Sequence, residues 1–175
     1  IIFNFIGVIH FMKKNLAEAE KFFLKVIEID NKFQDPVRNL CVIYTITKKF
    51  QKLLNYSGKL YNLDNKNPLN IFQIGSANEL NKNYDDAIKY YEKYINTNGS
   101  DKKRGFNNIG NIFLRKGKPR TSIKYFSKAL ELDNNNKILI NNILLCYLSL
   151  RDENKSEEYF KKAETIDSNY IEFLH

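Results

Sequence analysis

The chain of 175 residues carries 43% hydrophobic and 27% charged residues, a balance typical of a folded globular protein rather than a disordered one. No apolar run approaches the roughly 20 residues that span a bilayer, and the apolar start IIFNFIGVIHF lacks the basic leader and cleavage site of a signal peptide. The net charge of +8 permits weak attraction to acidic partners, but the lysines are dispersed along the chain rather than clustered.

The predicted elements are five pairs of short helices, each closed by an Asp or Asn. The closing residues are spaced by 34, 34, 35 and 34 positions and are Asp30, Asp64, Asn98, Asp133 and Asp167. In the second helix of each pair, apolar residues recur at spacings of three and four, as one buried stripe requires. No segment shows the alternation of a strand. We therefore predict ten helices in five pairs.

Each predicted pair repeats a pattern of large, small and aromatic residues that indicates helix-on-helix packing. In chain order these residues are Ile6, Gly7, Ala19 and Phe23; Leu40, Cys41, Tyr44 and Leu53; Ile74, Gly75, Ala87 and Tyr91; Ile109, Gly110, Ser122 and Phe126; and Ile143, Leu144, Ser156 and Phe160. A small residue at a crossing lets two helix backbones approach, which offsets the cost of about 1 kcal/mol of a helical Gly. Leu53 and Leu144 are large at small positions, so we expect those interfaces to be wider or locally rotated.

Prolines and turn residues support the same division of the chain. Pro36 and Pro68 stand at the beginning of first helices and Pro119 at the beginning of a second helix, where a missing N–H does no harm. Gly117 and the segment 81–83 lie in the turns within a pair.

A helix-turn-helix unit of 34 residues with these packing residues resembles the tetratricopeptide repeat family. The resemblance covers essentially the whole chain and implies an all-α, right-handed α-solenoid of about five repeats. We place the repeats at residues 1–33, 34–67, 68–102, 103–136 and 137–170, with 171–175 beginning a further helix. Because neither end carries a polar cap, we expect a piece of a longer array whose exposed ends are able to self-associate.

Residues for catalysis or for holding a cofactor are nearly absent from the sequence. His10 lies at a packing position and His175 at the end of the chain, and no zinc-ligand spacing or phosphate-binding loop is present. Cys41 and Cys146 lie about three repeats apart, too far for a disulfide. We therefore predict a cytoplasmic protein that is not an enzyme and has no cofactor, metal site or small-molecule substrate.

One position of the first helices carries amides in four of the five repeats. It directly precedes the large apolar residue and holds Phe5, Asn39, Gln73, Asn108 and Asn142. In tetratricopeptide arrays the first helices line the concave surface, and the resemblance implies that these residues face it. Neighbouring amides enrich the same surface: Asn4, Asn107, Asn111 and Asn141.

An amide both donates and accepts hydrogen bonds, so a column of amides can hold an extended peptide backbone. The column is similar to the asparagine ladder of O-GlcNAc transferase arrays, which implies backbone-gripping roles for Asn39, Asn108 and Asn142, with Gln73 as a longer substitute. Phe5 interrupts the ladder in the first repeat. The alternative is that the general abundance of Asn in this chain produces the pattern.

The leading prediction is a protein-protein interaction module that binds an extended or helical segment of a partner protein in its concave groove. Side-chain selectivity is assigned to Arg38, Phe72, Arg104 and Arg115. A carboxylate clamp is disfavoured because the required lysines are missing. Nucleic acid is disfavoured because no regular pair of base-reading side chains recurs. The alternative is a substrate-recruiting segment of a larger transferase, such as an O-GlcNAc-transferase-like glycosyltransferase.

Overall fold

The part of the chain that the structure describes is helical throughout. A computed structural model describes residues 2–166, in which ten α-helices and no strand are present, confirming the all-α prediction. The helices are α1 Ile2–Met12, α2 Leu16–Ile29, α3 Gln34–Ile46, α4 Phe50–Leu63, α5 Pro68–Leu80, α6 Tyr84–Ile95, α7 Lys102–Arg115, α8 Pro119–Glu131, α9 Lys137–Ser149 and α10 Glu153–Ile166. The closing residue Asp167, His175 and the further helix predicted at 171–175 lie outside the described residues.

Neighbouring helices pack in sequence order around two separate cores. Within pairs, α1 packs on α2, α3 on α4, α7 on α8 and α9 on α10, while α2–α3, α4–α5 and α8–α9 contacts join consecutive pairs. The structure divides into two compact units, with the boundary inside α6 between Tyr90 and Tyr91. The first core is centred on Phe23, Leu40 and Tyr44, and the second on Phe126 and Ile143. None of the described helices has both the length and the apolar character needed to cross a membrane.

Glycines at two helix crossings lie against buried aromatic rings. A Cβ added to Gly7 would stand 2.7 Å from Phe23 Cε1, and one added to Gly110 would stand 2.6 Å from Phe126 Cδ1. Both rings are fully buried and cannot easily move aside. These contacts confirm, for Gly7 and Gly110, that the small residues allow close packing of the two helices in a pair.

In the second pair, other residues replace both the glycine and the aromatic ring. Cys41 occupies the place of the glycine, and Ser57 occupies the place of the aromatic residue, with Cys41 Sγ 3.6 Å from Ser57 Oγ. Leu53, one turn before Ser57, is fully buried and fills part of the core that an aromatic ring fills elsewhere. The sequence pattern indicated Leu53 as the departure from the repeat, but it overlooked Ser57.

All five turns within a pair use one residue in the left-handed conformation. The five residues are Lys14, Lys48, Lys82, Gly117 and Arg151. The residue after each one donates its N–H to a carbonyl in the last turn of the preceding helix, as Asn15 N does to His10 O at 2.9 Å. The sequence analysis placed Gly117 and the segment 81–83, which contains Lys82, in turns, but it predicted no left-handed Lys or Arg, because a left-handed residue other than Gly or Asn is uncommon. Nothing in the structure explains the preference for a basic residue at the other four turns.

The first helices of the last three pairs begin at side-chain caps. Asn67 accepts a hydrogen bond from Leu69 N, Asp101 from Arg104 N and Asn136 from Leu139 N. An Asn or Asp cap contributes about 1 kcal/mol to helix stability and determines where the helix starts. These caps therefore set the register of α5, α7 and α9, which carry three of the four amides at the repeated position: Gln73, Asn108 and Asn142.

Candidate functional site

The second unit brings three predicted site residues together on α7 and α9. Asn142 Nδ2 donates to Asn107 Oδ1 at 3.4 Å, so the two side chains connect the first helices of adjacent pairs. Arg104 and Asn107 line a cavity of about 200 Å³ whose opposite wall includes Ile138 and Leu139 of α9. Asn142 Oδ1 accepts no hydrogen bond within the described part of the chain. Asn107 therefore belongs both to the cavity wall and to the amide pair.

Asn108 and Asn111 lie beside this pair on α7. Both side chains are half-buried and make no hydrogen bond to another residue of 2–166. Arg104, Asn108, Asn111 and Arg115 are separated by four, three and four residues, so they share one face of the helix. Both arginines are exposed. This face combines hydrogen-bonding amides in its middle with positive charge near each end of the helix.

The first unit carries the other half of the predicted column. Asn39 on α3 and Gln73 on α5 are half-buried, and neither side chain is hydrogen-bonded in the described structure. Arg38 Nη2 donates to Gln34 Oε1 at 2.8 Å, which holds the guanidinium along its own helix. Phe72, predicted to select side chains of a partner, is only 9% exposed. A ring this deeply buried leaves little of its surface for a bound peptide.

Exposed apolar residues flank the amides, and the sequence analysis missed them. Ile138 and Leu145 are 67% and 55% exposed and lie four residues before and three residues after Asn142. Val42 and Ile46 stand three and seven residues after Asn39 and are also about half exposed. These spacings place each set on the face of its amide. Reading the neighbouring turns of the helix, rather than the one amide position, would have found them.

Two of the amides assigned to the same surface have buried oxygen atoms. The Oδ1 atoms of Asn4 and Asn141 are buried and have no hydrogen-bond partner within residues 2–166. A buried amide oxygen is not accessible to a bound peptide, and leaving it unpaired costs about 1–3 kcal/mol. The side-chain oxygens of Asn4 and Asn141 are therefore not part of the candidate surface.

The thiols and the described histidine occupy structural positions. Cys41 and Cys146 are both buried and free. Burial raises the pKa of the Cys41 thiol to about 11, although the hydrogen bond with Ser57 acts in the opposite direction. The His10 ring stacks on Phe22 with the ring centres 5.4 Å apart. Across residues 2–166, no three His, Cys, Asp or Glu side chains gather as they would to hold a metal ion.

Glu20 holds a charged cluster on the first unit, which connects α2 to the second helical pair. Its carboxylate accepts hydrogen bonds from Lys49 Nζ, Lys52 Nζ and Tyr44 Oη, each at 3.0 Å. Burial raises the pKa of Glu20, but these hydrogen bonds together outweigh it, so the pKa lies below its usual value. Every member of the cluster is satisfied by another, and we assign it a structural role.

Known protein families and structures match this architecture. Models of the tetratricopeptide repeat match residues 2–33, 70–101, 104–136 and 139–170, which together span more than half of the sequence. The chain belongs to the tetratricopeptide repeat family. This membership confirms the family resemblance drawn from the 34-residue period and its packing residues. No curated protein matches the sequence.

Solved tetratricopeptide-type structures resemble the chain over nearly its full length. A crystal structure of MamA is 19% identical, with a TM-score of 0.85, covering 98% of this chain and 93% of that one. YrrB, described as a tetratricopeptide protein with an unusual peptide-binding site, is 16% identical, with a TM-score of 0.77 and coverages of 100% and 90%. PilF of Pseudomonas aeruginosa is 20% identical, with a TM-score of 0.73 and coverages of 94% and 74%. At such identities the likeness shows the fold alone.

Proposed function

We propose that this tetratricopeptide chain is a protein-interaction module that binds an extended segment of a partner protein along its first helices. The observation that carries the proposal is the amide pair of Asn107 and Asn142, which joins α7 to α9 beside exposed Ile138 and Leu145. The proposal assigns no catalytic step to the chain.

The amides are suited to hold a peptide backbone without reading its sequence. Asn142 Oδ1 can accept from a backbone N–H, and Asn107 Nδ2 can donate to a backbone carbonyl. The hydrogen bond between the two side chains orients both before a partner arrives, which reduces the entropy lost on binding. Asn108 and Asn111 extend the same surface along α7 with amides that have no hydrogen-bond partner within residues 2–166.

The apolar and basic residues around the amides provide side-chain selectivity. Ile138 and Leu145 on α9, like Val42 and Ile46 on α3, are exposed and would bury apolar side chains of the partner at about 25 cal/mol per Å². Arg104 lines the cavity beside Asn107 and adds positive charge to it. We therefore expect a partner segment that alternates apolar with polar or acidic residues.

The similarity of fold to YrrB supports the proposal that this chain binds a peptide. YrrB is described as having an unusual peptide-binding site, and its fold is similar to that of this chain. A tetratricopeptide array of this size can therefore present a peptide site, although the low identity transfers no residue.

Peptides selected from a random display library on the immobilised protein provide probes for this surface. Affinity for an uncharged selected peptide is then measured by fluorescence anisotropy for wild type and for the double variant Asn108→Ala/Asn142→Ala. We expect the affinity of the double variant to fall at least about tenfold, since each Asn→Ala substitution removes up to two hydrogen bonds of about 1 kcal/mol each. N-methylation of the peptide backbone should weaken binding similarly, because it removes donors while keeping the side chains.

The matched control is Asn134→Ala/Asn135→Ala, which makes the same chemical change in the exposed turn between α8 and α9. It should leave affinity unchanged, and thermal unfolding should show that both double variants are folded. The proposal would be wrong if wild type and Asn108→Ala/Asn142→Ala bound the selected peptide with equal affinity.

A further inference from the structure

A second cavity lies on the first unit, and none of its lining residues belongs to the amide column. It measures about 790 Å³ and extends between α4 and the first half of α6, with Ile74 and Asn78 of α5 beneath it and Asn31 and Lys32 at one end. We call it the outer cavity. Second helices and a loop form most of its wall, whereas the proposed peptide surface lies on first helices.

Gly58 lies in the wall of the outer cavity, in the interior of α4. A Cβ added there would meet nothing within 4 Å, whereas one added to Gly7 or Gly110 would collide with a ring. A helical glycine costs about 1 kcal/mol relative to alanine, and no packing within the described chain compensates for it here. Glycine in such a place allows another backbone to approach the helix closely.

Four of the polar side chains around the outer cavity have no partner within the described residues. Lys32 and Lys59 form no ion pair within the described residues, and Asp86 is the only carboxylate among the lining residues. The side-chain amides of Asn55 and Asn62 also make no hydrogen bond there. By contrast, Lys49 Nζ and Lys52 Nζ each form an ion pair with a carboxylate oxygen of Glu20 at 3.0 Å. The cavity therefore presents two unpaired cations and two unpaired amides to one space.

We propose that the outer cavity binds an acidic peptide segment whose backbone passes over Gly58. Two acidic side chains of the segment pair with Lys32 and Lys59, and its backbone groups pair with Asn55 and Asn62. Leu54 and Ile74 provide apolar contact at the base. The positive charge of the lining residues and the accessible helix backbone favour this occupant. The proposal is independent of peptide binding on the first helices.

The test uses a blocked, fluorescein-labelled peptide in which Glu alternates with Ala, together with Gln and Lys versions of the same sequence. Fluorescence anisotropy should show binding of the Glu peptide to the full chain at low salt, at least about tenfold weaker binding of the Gln peptide, and no binding of the Lys peptide. Gly58→Leu fills the cavity and should weaken binding of the Glu peptide at least about tenfold. Lys59→Met should weaken the same binding several-fold.

The matched control is Ser127→Leu, which introduces the same side chain at the corresponding position of α8. It should leave the Glu peptide's affinity unchanged. Gly58→Leu is expected to fold, because space is open around that Cβ. Equal binding by wild type and Gly58→Leu, or equal loss in Ser127→Leu, overturns the proposal. Tighter binding of a single-stranded DNA that Gly58→Leu abolishes would also overturn it, because the occupant would then be a nucleic acid.

Discussion

Gly110 and Gly58 are both helical glycines, but they differ in what surrounds them. A Cβ on Gly110 would stand 2.6 Å from the fully buried ring of Phe126, while a Cβ on Gly58 would have open space around it. The first glycine is required by packing inside the chain, and the second is not. The same residue type thus marks a helix crossing at one site and an accessible backbone at the other.

This difference predicts opposite effects on stability. Gly110→Ala should lower the free energy of unfolding by roughly 1–3 kcal/mol, because the added methyl group overpacks the contact with Phe126. Gly58→Ala should raise it by up to about 1 kcal/mol, since it gains helix propensity without a clash. Urea denaturation followed by circular dichroism measures both. Effects of the same sign would contradict the assignment of packing roles.

At the scale of elements, Glu20 joins three helices through one carboxylate. Tyr44 from α3, and Lys49 and Lys52 from the start of α4, all donate to it from the pair that follows. Tyr44 itself is almost fully buried, and burial, assisted by the hydrogen bond to Glu20, raises the pKa of its hydroxyl. The cluster therefore helps to fix α2 against the second pair.

Glu20→Gln should destabilise the protein near neutral pH by about 1 kcal/mol, because the neutral amide loses two charge-assisted hydrogen bonds from partly exposed lysines. The folded pKa of Glu20 is lowered from 4.5, so its contribution is present above pH 4.5 and is lost as the pH falls through the lowered value. Urea denaturation between neutral and acidic pH should show the two proteins converging in stability at low pH.

Glu157→Gln provides the control for this prediction. Glu157 pairs with Lys161 at 2.6 Å, but its side chain is 67% exposed, so the pair should contribute little. If Glu157→Gln lost as much stability as Glu20→Gln, the Glu20 cluster would not be the cause. A difference between Glu20→Gln and wild type that persists at acidic pH would show the same.

At the scale of the whole molecule, the net charge of +8 acts on any acidic ligand, and salt separates this background from specific contacts. The two proposed surfaces differ in this respect. The first helices are proposed to hold a backbone through neutral amides, whereas the outer cavity is proposed to hold carboxylates through Lys32 and Lys59. Their affinities should therefore respond differently to ionic strength.

Raising NaCl from about 0.05 M to about 0.5 M should weaken binding of the Glu peptide several-fold, because salt screens the attraction between its carboxylates and the lysines. An uncharged peptide selected on the first helices should change less than about twofold, since hydrogen bonds between neutral groups are little screened. Anisotropy titrations across the salt series measure both. A steep salt dependence for the uncharged peptide would indicate that charge rather than the amides binds it.

Much of the fold follows from patterns that are local in sequence. The 34-residue period, the stripes of apolar residues and the prolines at helix starts predict ten helices, five pairs and the family, because each signal depends on residues within a few turns of one another. The amide column was likewise visible in the sequence, since it recurs at one place in each repeat. Its role in binding stays a prediction.

Tertiary structure decided which of these residues meet. Ser57 compensates for Cys41 from 16 residues away, and Asn142 reaches Asn107 across 35 residues. The open space at Gly58 and the burial of Phe72 depend in the same way on neighbours contributed by other helices. Helical periodicity predicts the face on which a side chain lies, but its contacts depend on how the helices pack. That is why the sequence alone determined the repeat, while the proposed binding surfaces depend on contacts that only the tertiary structure defines.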